Sequence, residues 1–143
     1  MLTELQTIFD QYAETSREVR RKAPITAGLF GYGDDPRKHP CHDRFWEDLQ
    51  AWMDRFLQSD PSRADARTAA EILLTAAEGH KGEDCYLYCI AAQQHVEKLL
   101  PLLSPEDCGE FRDWLQKTYP SRNRVPVQDT LLKHLGKRAK QKK

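Results

Sequence analysis

Seven apolar residues, Phe45, Trp46, Leu49, Trp52, Met53, Phe56 and Leu57, follow one another at steps of 1, 3, 3, 1, 3 and 1. Those steps lay one wide apolar stripe along a helix of 3.6 residues per turn. They fit no strand, whose side chains alternate with a period of two. The same rhythm recurs along the chain. Leu5, Ile8, Phe9, Tyr12, Ser16 and Val19 make a first stripe, with Thr3 and Gln6 spaced as a capping box and Pro24 as the stop. Asp60-Pro61 reads as an N-cap and first helical residue, ahead of Ala66, Ala69, Ala70, Leu73, Ala76 and Ala77. Gly79 and Gly82 close that helix around His80 and Lys81.

A helix from about Glu83 to Leu103 is apolar most of the way round, the mark of a buried element, with Pro101 bending or ending it. Ser104-Pro105-Glu106-Asp107 combines a capping hydroxyl, a proline suited to the first turn and two acids at a helix start. Pro126 opens a last helix through Val127, Leu131, Leu132 and Leu135, with Gly136 as its expected end. No segment alternates like a strand over more than three or four residues. The predicted fold is all-α: a single-domain bundle of five or six mostly antiparallel helices occupying residues 1–136. Residues 137–143 are expected to form a disordered basic tail.

One stretch escapes the helical rhythm. Residues from about 24 to 42 lie after the first helix and are rich in glycine and proline. They also carry Phe30 and Tyr32, which favours an ordered loop over a solvated linker. Leu29, Phe30 and Tyr32, with Asp34 and Asp35, are the residues of this loop suited to bind a partner. Turn chemistry explains Gly31 to Pro36 more simply than paired-carboxylate catalysis does, and no Gly-Lys-Ser/Thr comes after them to make a phosphate loop.

His39, Cys41 and His42 are zinc-type ligands crowded into four residues, whereas zinc signatures normally draw ligands from two segments. Cys85 and Cys89, four apart and so on one helix face, could supply the second segment, and His80 or Cys108 could approach. A Cys41 nucleophile with His39 or His42 as its base is the hydrolytic version of the same loop. Against both stands the ordinary behaviour of buried free cysteine as a small hydrophobe, and of His39 or Asp43 as a cap.

The charges bound the partners. The last eleven residues hold six basic side chains and no acid, leaving a net −6 on residues 1–132. Such a tail supports weak, salt-dependent phosphate contacts and no sequence-specific nucleic-acid reading. No apolar run approaches the length of a membrane span. Four cysteines with no secretory pattern ahead of them suggest reduced thiols and a cytoplasmic protein. The sequence alone thus predicts an interaction or structural module that binds a partner protein or a second copy of itself, with no catalytic residues and no cofactor. A zinc-binding protein or small hydrolase built on His39, Cys41 and His42 is the alternative.

Overall fold

Why the first helix starts where it does shows how local signals yield to packing. A computed structural model of the chain describes residues 1–23 and 35–141. In it α1 spans Leu2–Lys22 and no side chain caps it. Gln6 reaches forward to Asp10, and Thr7 bonds the Thr3 carbonyl, so the expected Thr3/Gln6 box is not formed. The Met1 carbonyl instead accepts the Leu5 amide and, at 2.8 Å, the indole N–H of Trp52. That tertiary bond fixes the start earlier than the capping pattern implies.

Trp52 lies on α2, Cys41–Gln58, and is fully buried with Phe45, Leu49, Met53 and Phe56. Trp46 and Leu57, at the margins of the same stripe, are half-buried, so the buried face is narrower than the apolar spacing suggests. The pair α1 and α2 run antiparallel. Met1 meets Trp52 at one end, and the Tyr12 ring stacks on Phe45 at 4.1 Å towards the other. A short 3-10 turn, Pro36–Lys38, precedes α2 and is capped by Asp35.

After α2, Asp60 adopts φ +54, a left-handed position that Asp tolerates better than most residues. It therefore closes α2 and does not cap the next helix. The cap belongs to Ser62, whose hydroxyl accepts the Asp65 amide at 3.1 Å at the start of α3, Arg63–Thr75. The expected long helix after Gly82 divides into α4, Tyr86–Ala92, and a 3-10 helix, Gln93–Leu102. Gln93, Val96 and Leu99 are fully buried at steps of three. His95 and Leu100 are buried beside them, and Pro101 brings no amide to an α-helical ladder.

The Ser104–Asp107 capping box forms as its sequence predicts and opens α5, Pro105–Thr118. Last comes α6, Pro126–Ala139, which packs against α5. Gly136 lies inside α6 and does not end it. Arg138, one turn from Leu135, bonds the Leu103 carbonyl at 3.1 Å and the Pro101 carbonyl at 3.3 Å, which holds the basic end in helical form.

The fold is thus all-α, with six α-helices and no strand among the described residues. None of these helices is long and apolar enough to cross a membrane. Contacts group the chain into two compact units, one of residues 1–60 and 75–92, the other of 61–74 and 93–143. The first is centred on the α1/α2 aromatic face. In the second, a chain of buried amides sits beneath the helices. The Val125 amide donates to Gln128, Gln128 to Gln93 at 2.9 Å, and Gln93 to the Leu74 carbonyl at 3.1 Å. Each buried polar group in that chain is matched, as burial requires.

Candidate functional site

His39, just before α2, and His42, in its first turn, hold the helix start in place. His39 Nδ1 accepts the Cys41 amide at 3.0 Å, which makes it a cap for α2. His42 is buried, and its Nε2 lies 2.9 Å from the Pro36 carbonyl, which can only accept. The Nε2 hydrogen therefore donates there, and the Tyr12 hydroxyl donates to Nδ1 at 2.6 Å. Tyr88 stacks on the same imidazole at 4.5 Å. With both nitrogens bonded, His42 has no lone pair left for a metal.

Burial pushes the Cys41 thiol up, the opposite of what an activated nucleophile needs. Burial likewise drives the Tyr12 hydroxyl far above its ordinary value. Neither the zinc set nor the hydrolytic pair expected from His39, Cys41 and His42 is assembled. Asp35 is spent on its own turn. It accepts the Arg37 amide at 2.9 Å and pairs with the Arg37 guanidinium, which holds its carboxyl down at about 2. Leu29, Phe30, Tyr32 and Asp34 lie outside the described residues.

Cys85 and Cys89 do meet, as their spacing predicts, and both are buried. The Cys89 thiol hydrogen-bonds Cys85 and lowers its pKa, with His80 and Arg17 adding to the effect against the penalty of burial. The same bond, together with burial, raises Cys89. Cys85 is therefore the sulfur of the pair suited to exist as thiolate.

Cys85 ends the joint between α3 and α4. Gly79 and Gly82 take φ +84 and +87, the left-handed region open to glycine. Gly82 lets the Glu83 amide bond the His80 carbonyl at 2.9 Å, a four-residue turn that sets the two side chains side by side. His80 Nδ1 lies 2.9 Å from Glu83 Oε2. The ligand atoms of His80, Glu83 and Cys85 all lie within 4.8 Å of one another, the one such group of three among the described residues. Cys89 falls outside that group.

Two arginines of α1 address the joint. Arg17 donates from Nε to Glu83 Oε1 at 2.6 Å, and one of its Nη atoms lies 3.1 Å from His80 Nδ1. Its hydrogen bond is the main reason the Glu83 carboxyl sits below its ordinary pKa. Arg20 grips both oxygens of Asp84, at 2.8 and 2.6 Å. Between helix and joint lies an open cleft of about 450 Å³, lined by Ser16, Arg17, Arg20, Gly82, Glu83 and Asp84 among others.

From sequence, His80 stands out only as a residue that could approach, and neither Glu83 nor Arg17 stands out at all. A His-x-x-Glu turn with one glycine just before it and one inside it, ending two residues before a cysteine, was the available local signal. The arginine left none, because it comes from 66 positions away. No family model, curated protein or solved structure matches the chain.

Proposed function

We propose that the joint at residues 80–85 binds a divalent cation of the zinc class, with His80, Glu83 and Cys85 as its protein ligands. The supporting observation is the convergence of an imidazole, a carboxylate and a thiol within 4.8 Å. A tetrahedral zinc with ordinary bond lengths spaces its ligand atoms about 3.3–3.7 Å apart, so the side chains need only a small contraction to close on an ion. Imidazole and thiolate together favour zinc over magnesium or calcium, which prefer oxygen. The lowered pKa of Cys85 favours the ligating thiolate at neutral pH. Three protein ligands leave one position of the tetrahedron for water or a bound group. The ion would pin the turn that leads into α4.

This reading keeps the metal alternative of the sequence and moves its ligands. The interaction-module reading rests on Leu29, Phe30 and Tyr32 and gains nothing from the described surface. There, Leu87, 68% exposed, is an ordinary lone apolar residue.

Equilibration of the purified protein with equimolar zinc, followed by dialysis, tests the site. The wild type should retain about one equivalent, as a coordinated ion does. The double variant His80→Ala with Cys85→Ser should retain none. A wild type that keeps no zinc, or a double variant that keeps as much as wild type, refutes the proposal.

A further inference from the structure

His80 Nδ1 faces two neighbours that make opposite demands on it. The Arg17 Nη group, at 3.1 Å, can only donate and needs the nitrogen's lone pair. Glu83 Oε2, at 2.9 Å, can only accept while ionised and needs a proton there. A single ring nitrogen supplies one or the other. The two contacts cannot both be hydrogen bonds in one protonation state.

Glu83 is divided in the same way. Its Oε1 is held by Arg17 Nε at 2.6 Å, while Oε2 faces the imidazole and lies 3.4 Å from the Arg17 Nη group. The guanidinium therefore spans the imidazole and the carboxylate that a metal would need, and it carries the positive charge a metal would bring. We infer that Arg17 and a zinc-class ion compete for His80 and Glu83, so that Arg17 sets how tightly, and which, cations bind at the joint. This inference rests on the site proposed above.

Selectivity follows from the chemistry of the ligands. A hard cation that relies on oxygen finds one carboxylate already paired with a fixed fork of N–H groups. A zinc-class ion gains bonds to nitrogen and sulfur as well, which offset the loss of the Arg17 pair. Ion entry also frees one of the two tethers between α1 and the joint. The other, Arg20 on Asp84, touches none of the three ligands and stays in place.

Calorimetric titration of the folded protein with zinc chloride, against a competing chelator of known affinity, separates the possibilities. Arg17→Gln should bind zinc about three- to fivefold more tightly than wild type, the upper size of effect expected for releasing a partly exposed ion pair. Arg20→Gln should bind within about twofold of wild type. Arg17→Lys keeps the charge but cannot span two partners, and should fall between wild type and Arg17→Gln. It carries the test alone if Arg17→Gln fails to fold by circular dichroism.

Unchanged or weaker binding in the Arg17 variants overturns the inference while leaving the site intact, and marks Arg17 as a group that orients Glu83. Absence of zinc binding in wild type and in every variant refutes the site itself, and the inference with it.

Discussion

The joint at 80–85 and the helix start at 104–107 use the same materials and reach different ends. In each, an acidic side chain three residues along a turn meets an arginine from a distant helix. At the helix start, one Asp107 oxygen accepts the Ser104 amide at 3.1 Å, and the other takes Arg67 at 2.5 Å. Arg67 also pairs with Glu110 and lies over the Phe111 ring. Every contact there is of opposite kinds, donor to acceptor and cation to anion. Burial raises the Asp107 carboxyl, but the Ser104 amide and Arg67 outweigh it, and the net result is a pKa below the ordinary value. At the joint, by contrast, one imidazole nitrogen is asked to donate and accept at once. The comparison teaches that proximity of charged groups is not what sets a site apart. A closed set of bonds is structural, whereas a set that cannot be satisfied internally has room for something else.

The largest expected effect strikes the closed set. Asp107→Ala removes the reciprocal cap and leaves Arg67 with one partner fewer. Chemical unfolding should show a loss of about 2–4 kcal/mol, from a cap and a charged hydrogen bond together. A loss as small as that of a surface residue would dissolve the contrast.

Next comes ligand linkage at the joint. Zinc at one hundred times its dissociation constant should stabilise the wild type by about 2.7 kcal/mol, read as a rise in melting temperature. The His80→Ala, Cys85→Ser double variant should not respond. An equal rise in both would place the ion elsewhere.

Gly82→Ala tests the turn that brings His80 and Glu83 together. A Cβ there meets no atom within 4 Å, so strain at φ +87 is the whole cost. Placing an L-residue in the left-handed region should destabilise by about 1–2 kcal/mol. It should also weaken zinc binding, because the same turn sets the ligand spacing. Full stability in this variant would mean that the turn does not depend on glycine.

The smallest effect is Glu83→Gln, an exchange at the half-exposed side of the joint. It should cost under about 1 kcal/mol, as pairs in contact with water do. Acid acts on both sites in the same direction. Glu83 and Asp107 both have pKa values lowered by folding, so each contributes stability above the unfolded carboxylate value of about 4. That contribution disappears as pH falls through the folded value. The gap between wild type and Asp107→Ala should therefore close on acidification below about pH 4. A gap that widens instead would show Asp107 to be protonated in the native protein.

Most of what was legible in the residues lies within one or two turns of chain. Periodic apolar residues marked the helices, Ser104 and Asp107 marked a cap, Gly79 and Gly82 marked a joint, and Cys85 and Cys89 marked a shared face. These signals act between residues at most four apart, where the backbone fixes the geometry in advance. The tertiary structure alone decided which of several local options was used. Trp52 bonds the Met1 carbonyl at the start of α1, where no side chain caps the helix. Tyr12 and Pro36 consumed the two nitrogens of His42 that would have served a metal. Arg17 found Glu83 across 66 residues, and Gln93 found Gln128 across 35. Nothing in a sequence interval records such a meeting. It depends on the register at which two helices pack, and that register is set by the summed burial of their faces, not by either partner of the bond.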